Sequence, residues 1–256
     1  VDEMDVVVIF GIGGNAKTVW DLVKSKRKRL VLLDKPYIRQ LTVEDKPRYW
    51  LLRVAVDAFQ PLRYFQITKR SSERWDRLGI EVHPYRTSIG GILFDGASNK
   101  YVKWNDLGNG CGTDLEQWAN WGQRMVNKIQ AHTELPIVYR PRPSHNTTPE
   151  ISGAQTSHVS LVEDFVRCCV VISHGGNIGY DAIVQGVPHF AIGDSIARPL
   201  SETHWPRVGV PFIPGEERRR QWLADLAWCQ WNLDEFRSGE AWQYIRETME
   251  TVSVGA

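Results

Sequence analysis

The amino-terminal part of the chain alternates between short apolar runs and polar breaks that contain glycine. Residues Val6–Phe10 form a continuous apolar run rich in β-branched side chains, which predicts a buried strand. A helix is expected over Ala16–Ser25, with Asn15 as its N-cap. The next apolar run, residues 30–33, ends at Asp34. A strand, a glycine turn, a helix and a second strand form a βαβ unit, which implies a parallel sheet.

The same alternation begins again after a pair of glycines at residues 90 and 91. Before this pair, residues 52–56 also predict a strand; after it, strands are predicted at residues 92–94, 136–139, 169–173 and 190–192, and a short helix at residues 161–167. From Glu216 onwards the pattern is helical. We therefore predict an α/β fold in which two Rossmann-like, parallel-sheet halves face a cleft, with a helical C-terminal tail. The predicted domains are residues 1–88 and residues 89–256, the second including the tail.

The composition is that of an ordinary globular protein. Of the 256 residues, 42% are apolar and 24% are charged, which excludes disordered and fibrous classes. No apolar run approaches the roughly 18 residues of a membrane span, and the acidic start lacks the layout of a secretory signal. The four cysteines form no C-x-x-C pair. We expect a cytoplasmic protein with reduced cysteines and no membrane partner.

Charge is unevenly distributed along the chain. Residues 1–90 contain 17 lysines and arginines against 11 acidic residues, whereas residues 91–256 contain 14 against 19. Much of the basic excess lies in residues 24–29, at the end of the first predicted helix. This distribution favours an anionic partner, such as double-stranded DNA, for the front half. A solvated surface accounts for it equally well, because basic residues are favoured at a helix C-terminus.

The glycine turn after the first strand satisfies the pattern G-x-G-x-x-A. Asp34 ends the next strand about 20 residues further on, where a dinucleotide site places its ribose ligand. Backbone N–H groups of such a turn can bind a phosphate. A nicotinamide-dependent oxidoreductase that uses Gly11, Gly13, Ala16 and Asp34 is therefore one hypothesis. A tight turn between strand and helix is the alternative explanation of the same glycines.

A second glycine turn, residues 173–177, lies between a predicted strand and a predicted helix. Other polar residues follow neighbouring strands, and the carboxyl ends of parallel strands share one crevice. We expect a cradle for a phosphate here, with Asp181 accepting hydrogen bonds from a ribose. The predicted binding residues are Ser98, Asn99, Lys100, Arg140, Arg142, Ser173, His174, Gly175, Gly176, Asn177 and Asp181. Ion pairs within the protein are the alternative role for the arginines, and a buried imidazole is the alternative for His174.

The segment from Val170 through the 173–177 turn to residues 186–188 resembles the donor half of two-domain (GT-B) glycosyltransferases. Residues 140–144 and 221–231 are similar to small phage-encoded proteins of this kind. The resemblance implies a nucleotide-sugar co-substrate, with a UDP-linked sugar expected first, and no permanently bound cofactor. Some phage members glycosylate hydroxymethylated pyrimidines in DNA, which would suit the basic front half. In this chain an aspartate, Asp181, stands where the family more usually has glutamate.

Glycosyl transfer with inversion requires a base that takes the proton of the acceptor hydroxyl. Asp34 and Asp57 are the candidates, since each follows a predicted strand of the front half, and a turn or cap carboxylate is the alternative role for each. Gly13, Gly14 and Asn15 would form an acceptor-side loop. No metal site is expected, because the sequence has no Asp-x-Asp pair and no zinc-type spacing of histidine and cysteine. A noncatalytic DNA-binding protein is a third hypothesis.

Overall fold

The computed structural model describes residues 5–11, 13–39, 51–62, 65, 69–87, 90–104, 114–142 and 150–253. Its strands are β1 (Val6–Phe10), β2 (Arg29–Asp34), β3 (Leu52–Val56), β4 (Gly91–Asp95), β5 (Ile137–Arg140), β6 (Gln155–Thr156), β7 (Cys168–Ser173), β8 (His189–Ala191) and β9 (Gln230–Trp231). Its helices are α1 (Ala16–Ser25), α2 (Glu73–Asp76), α3 (Asn99–Trp104), α4 (Asp114–Gln130), α5 (Leu161–Arg167), α6 (Ile178–Val184), α7 (Glu216–Ala227), α8 (Leu233–Ser238) and α9 (Glu240–Ser253). Among these described helices, none is long and apolar enough to cross a bilayer.

The described residues divide into two compact units. The first unit contains the residues up to Ile80 together with those from Glu216 onwards, and the second contains the residues from Glu81 to Gly215. The sequence predicts a boundary near residue 88 and assigns the C-terminal helices to the second half. The structure corrects this assignment, because the chain returns to the first unit after Gly215.

The first unit contains a mixed sheet with the strand order β1-β2-β3-β9. β1 and β2 are parallel, as the βαβ pattern predicts, whereas β3 is antiparallel to both β2 and β9. The predicted α/β class is confirmed, with the difference that this sheet is mixed rather than parallel. The physical reason is that alternation along residues 52–56 defines a strand but carries no information about its direction.

The C-terminal helices complete the core of the first unit. Buried side chains of β2 and β3 pack against buried side chains of β9 and α9. Arg74 of α2 donates hydrogen bonds to the backbone oxygens of Ala227 and Gln230 and forms an ion pair with Glu235. These partners lie between 153 and 161 positions from Arg74, so no local pattern in the sequence predicts the contacts.

Among the described strands, β1 lies at one edge of this sheet, and one of its faces is exposed. Val6, Val8 and Phe10 are all exposed, Phe10 by 69%. The prediction of a fully buried strand is therefore wrong at these three positions. A run of five apolar residues does not distinguish an edge strand from a central one, because burial depends on what lies beside the strand.

The second unit is built on a five-stranded parallel sheet with the order β6-β5-β4-β7-β8. The parallel sheet predicted for this half is confirmed. Its core forms where the central strands pack against α4, which contributes the fully buried Trp118. Because all five strands run in one direction, their carboxyl ends lie at one edge of the sheet. We call the last residue of β4, β5, β7 and β8, together with the residues that follow each strand, the carboxyl edge; it comprises residues 95–98, 140–142, 173–177 and 191–194.

Candidate functional site

Three strand ends of the carboxyl edge meet at Arg142. This arginine follows β5 by two residues, and its guanidinium lies against Gly176 in the turn after β7. A Cβ atom at Gly176 would lie 3.0 Å from Nη2 of Arg142, and the φ angle of +91° at this position also favours glycine. The same nitrogen lies 3.7 Å from Oδ2 of Asp95 at the end of β4. The Arg142 side chain is 41% exposed, so part of it can be reached by a ligand.

Asp95 is a site residue that the sequence reasoning missed. It ends the central strand β4, it is buried, and its carboxylate faces Arg142. Burial, with a smaller contribution from the charge of Asp95, raises the pKa of the Tyr139 phenol above its ordinary range. A carboxylate at the end of a strand, directly before a glycine, was the available signal, because ligands bind at such ends in parallel sheets. In the structure Asp95 forms an ion pair with Arg142 beside the glycine turn.

His174, in the turn after β7, is enclosed by aromatic side chains. Its Nδ1 atom lies 3.1 Å from the hydroxyl oxygen of Tyr101 on α3. The rings of Tyr101 and Trp121 meet the imidazole edge-on, with centroid separations of 5.5 and 6.2 Å. Burial lowers the pKa of His174 below its ordinary value, so the imidazole is neutral at neutral pH. Tyr101 and Trp121 were not predicted, since helical residues give no sign of which turn they face.

Ser173 is fully buried, which contradicts its predicted role in ligand binding. Its Oγ lies 2.9 Å from Nε2 of His189, and Nδ1 of His189 lies 2.7 Å from Oγ of Ser201. Ser201 donates its single hydroxyl hydrogen to the backbone oxygen of Ala197, at 2.6 Å, and therefore accepts from Nδ1 of His189. Nε2 of the neutral ring then carries no hydrogen and accepts the hydrogen bond from the Ser173 hydroxyl. Burial lowers the pKa of His189 to about 3, in agreement with this neutral form.

Asp181 is also buried, with 2% of its surface exposed. Every residue of α6, Ile178–Val184, is buried. A carboxylate that accepts hydrogen bonds from a ribose must lie at the surface of a site, so the structure does not support the predicted role of Asp181. The strand-turn-helix pattern located the helix correctly, but it could not show that the helix is covered on all sides.

Arg140 is engaged within the protein. Its Nη1 donates to the carboxylate of Asp164 on α5 and to the backbone oxygen of Val159, both at 2.7 Å. Asp164 is buried and also accepts a hydrogen bond from the hydroxyl of Ser157. Arg140 therefore fastens α5 to the end of β5, and the alternative interpretation of an internal ion pair applies to it. The structure corrects its predicted role as a phosphate clamp.

The remaining predicted residues of the second unit lie in the carboxyl edge or at the start of α3. Ser98 directly precedes α3, and its Oγ lies 3.3 Å from the backbone nitrogen of Tyr101. Asn99, Lys100, Gly175 and Asn177 lie at the start of α3 or in the turn after β7. Residues 143 and 144, which form part of the segment that resembles phage proteins, lie outside the described residues.

In the first unit, Asp34 ends β2 beside the first glycine turn. A Cβ atom at Gly11 would lie 3.8 Å from Oδ1 of Asp34. Oδ2 accepts a hydrogen bond from Nη2 of Arg53 at 2.8 Å. Arg53 is buried, and its guanidinium carbon lies 5.0 and 4.7 Å from the ring centroids of Tyr37 and Phe59. The carboxylate of Asp34 is thus oriented by a buried cation and stays partly exposed.

Asp57 and Asp34 lie at opposite ends of the β2–β3 strand pair. Because β3 runs antiparallel to β2, the end of β3 lies beside the start of β2. There Asp57 accepts a hydrogen bond from the backbone N–H of Leu30 at 2.7 Å and forms an ion pair with Arg29 at 2.6 Å. The prediction of Asp57 as a base assumed a parallel β3. Because β3 is antiparallel, that assumption is wrong, and Asp57 instead bonds to the first residues of β2.

The predicted acceptor-side loop, Gly13, Gly14 and Asn15, is an exposed turn before α1. Asn15 occupies the N-cap position, but its side chain makes no capping hydrogen bond, so the predicted side-chain cap is wrong. Among the described residues, no heavy atom would lie within 4 Å of a Cβ atom at Gly13, which leaves open space beside the turn. Within the described ranges, no group of three or more histidine, cysteine, aspartate or glutamate side chains is placed to hold a metal ion.

Comparison with known proteins identifies a fold. No protein-family model and no curated protein sequence matches the chain. The solved structure of a β-Kdo 2,7 transferase, KpsC of Thermosulfurimonas dismutans, is similar over 86% of this chain and 75% of that one, with 13% sequence identity and a TM-score of 0.53. A β-Kdo 2,4 transferase, also KpsC of that organism, is similar over 86% and 79%, with 8% identity and a TM-score of 0.46. The first of these similarities confirms the Rossmann-like α/β fold predicted for the chain.

Proposed function

We propose that the protein transfers a sugar from a nucleotide-activated donor to a hydroxyl group, and that the carboxyl edge binds the donor. The observation that supports this most directly is Arg142, a partly exposed arginine whose guanidinium lies beside Asp95 and the Gly176 turn. Neutral His174 lies two residues before Gly176 in the same turn. The solved structure that shares the fold at a TM-score of 0.53 is named as a transferase of Kdo.

The chemistry of sugar transfer explains why these groups belong together. Negative charge develops on the nucleotide phosphate as it departs, and fixed donors aimed at it stabilise the transition state. A guanidinium offers two parallel N–H donors to a phosphate, and backbone N–H groups of a glycine turn can donate to the same anion. Asp95 orients Arg142 in advance, which reduces the side-chain entropy lost on binding. UDP-sugars are the donors we propose to test first.

Replacing Arg142 tests the donor site. In Arg142→Ala the phosphate loses a charged donor, and we expect nucleotide affinity to fall roughly 10- to 100-fold, with an unchanged circular dichroism spectrum. Isothermal titration with UDP and with other nucleoside diphosphates measures the affinity. Arg167→Ala is the matched control, since Arg167 is an exposed arginine of the same unit directly before β7, at the opposite edge of the sheet. Equal affinities of the wild type and Arg142→Ala would contradict the proposal.

We propose Asp34 as the base that accepts the proton of the acceptor hydroxyl. The ion pair with Arg53 orients its carboxylate, and the open space beside Gly13 leaves room for an acceptor in the first unit. Asp34→Asn keeps the shape but cannot take a proton, so we expect kcat to fall about 10²- to 10⁴-fold with unchanged nucleotide affinity. Asp57→Asn is the control and should retain kcat. A wild-type rate in Asp34→Asn would eliminate Asp34 as the base.

Hydroxymethylated pyrimidine DNA is the acceptor we propose to test first, with saccharides as the alternative. The excess of basic residues in residues 1–90 supports an anionic acceptor. Residues 24–29 run from the end of α1 to the first residue of β2, Arg29, which lies about 17 Å along the strand from Asp34 at its end. DNA would therefore have to reach both ends of the β2 strand. Incubation with a panel of nucleotide-sugars and each acceptor, followed by mass analysis of nucleosides and saccharides, identifies the product. Transfer to a saccharide alone would remove DNA from the proposal.

A further inference from the structure

The Tyr101 hydroxyl and the His174 imidazole are held together by tight packing against two glycines. A Cβ atom at Gly193 would lie 2.3 Å from Cε1 and 2.4 Å from Nε2 of His174. A Cβ atom at Gly175 would lie 2.4 Å from the hydroxyl oxygen of Tyr101. Non-bonded heavy atoms do not approach so closely, so only glycine at both positions leaves space for the two rings.

The orientation of the His174 ring is set from outside its own turn. Tyr101 on α3 and Trp121 on α4 meet the imidazole edge-on, and Gly193 follows β8. Nδ1 faces the Tyr101 hydroxyl at 3.1 Å, and Gly193 lies against the Cε1 corner of the ring, which has one nitrogen on each side. Because position 193 has no side chain, its backbone can pack directly against the imidazole.

We propose that Tyr101 is a positioning residue: its hydroxyl donates a hydrogen bond to Nδ1 of His174 and fixes the tautomer that carries its proton on Nε2. His174 then presents a neutral N–H donor to the phosphate of the nucleotide. The identity of this ligand rests on the proposed function, whereas the tautomer does not. In this proposal His174 binds the departing phosphate together with Arg142. Tyr101, on the helix that follows β4, holds His174 in the required tautomer.

In a neutral imidazole, the hydrogen-bond partner of one nitrogen determines whether the other nitrogen donates or accepts. Such a ring has one donor and one acceptor, and the hydrogen bond at Nδ1 determines which role falls to Nε2. Burial keeps His174 neutral, so it cannot donate from both nitrogens at neutral pH. A directed N–H bond becomes stronger as negative charge develops on the leaving phosphate, which is the requirement of the proposed reaction.

Long-range ¹H–¹⁵N spectra of the full chain labelled with ¹⁵N-histidine report the tautomer directly. We expect His174, assigned through His174→Gln, to carry its proton on Nε2 in the wild type. Tyr101→Phe removes only the hydroxyl and should give a mixture of the two tautomers. Tyr139→Phe is the matched control, since within the described residues the buried Tyr139 hydroxyl has no hydrogen-bond partner. This control should leave the His174 signals unchanged.

Titration with UDP and with inorganic phosphate separates the tautomer from the ligand. We expect UDP to shift the His174 Nε2 signal, and we expect Tyr101→Phe to bind UDP about 5- to 10-fold more weakly than the wild type, with no change in Tyr139→Phe. A proton on Nδ1 in the wild type, or an unchanged tautomer in Tyr101→Phe, overturns the role of Tyr101. If the wild type binds no nucleotide, the proposed function and the phosphate contact of His174 both fail, and the tautomer spectra still decide whether Tyr101 positions His174.

Discussion

Arg140 and Arg142 are separated by a single proline, yet they have different surroundings. Both were predicted to bind phosphate, because two guanidinium groups after a strand suit an anion. Arg140 pairs with buried Asp164, whereas Arg142 lies half exposed against Gly176. The partner of Arg140 lies 24 positions further along the chain, on a helix that the local pattern does not connect with β5. The sequence therefore showed that two cationic side chains follow β5, but it did not show which group each guanidinium contacts.

His189 gives the protein a defined sensitivity to acid. Its pKa in the folded protein is about 3, below the ordinary value of 6.5, because of burial. The unfolded chain binds a proton as the pH falls below 6.5 while the folded protein does not, so stability is highest above 6.5 and is lost as the pH falls towards 3. The expected loss from this group is about 1.4 kcal/mol per pH unit.

A His189→Gln variant isolates this contribution. Between pH 7 and pH 5 we expect the wild type to lose about 2 kcal/mol more free energy of unfolding than the variant, because glutamine does not titrate. Urea denaturation at each pH, followed by circular dichroism, measures both proteins. The comparison uses only the change with pH, so any constant cost of the substitution cancels. Parallel pH profiles of the two proteins would contradict the assignment of a neutral, buried His189.

At the scale of elements, helices and strands with a strong local pattern were predicted well. α1 and α5 have the bounds expected from the sequence, Ala16–Ser25 and Leu161–Arg167. The capping box between Ser160 and Glu163 explains why α5 begins where it does. β6 and β9 were not predicted, since each is two residues long and cannot show a periodicity. Their existence depends on hydrogen bonds from a neighbouring strand.

One arginine connects α2 with α7, α8 and β9. Arg74 bonds to two backbone oxygens and to Glu235, and its guanidinium carbon lies 4.0 Å from the ring centroid of Trp231. Burial would raise the pKa of Glu235, but the hydrogen bonds from Arg74 and from the Asn232 backbone outweigh it and lower that pKa. The contact is therefore a charge-assisted one that a lysine could not reproduce, because a lysine lacks the planar fork of donors.

Arg74→Ala should lower the free energy of unfolding of the first unit by about 3 kcal/mol, because it leaves Glu235 half-buried without its cation. Urea denaturation followed by tryptophan fluorescence measures this change, since Trp228 and Trp231 lie beside Arg74. The matched control is Arg77→Ala, which removes an exposed arginine three residues further along and should change stability by less than about 0.5 kcal/mol. Equal stability of the two variants would show that the Arg74 contacts contribute little.

At the scale of the whole molecule, the chain leaves the first unit after Ile80 and returns to it at Glu216. The second unit has its own parallel sheet and its own core. We therefore expect a fragment of residues 81–215 to fold alone with a cooperative urea transition. A fragment of residues 1–215 should lose the first unit, because β9, α9 and their buried side chains are absent.

Hydrogen exchange distinguishes the two fragments. Amide protons of β4 and β7 should remain protected in both, whereas those of β2 and β3 should be protected only in the full chain. Protection of β2 and β3 in the fragment of residues 1–215 would show that the C-terminal segment is dispensable for the first unit.

The sequence by itself determined the local elements, the βαβ unit and the clustering of polar residues at strand ends, because each depends on residues within one turn, one strand or one crossover. Tertiary structure alone decided the direction of β3, and with it the end of the β2–β3 strand pair at which Asp57 lies. It also decided the return of the C-terminal segment to the first sheet, the burial of Ser173 and Asp181, and the placement of Tyr101 beside His174. These features result from contacts between residues far apart in the chain. Such a contact produces no periodic pattern in the sequence around either residue, so the sequence does not predict it.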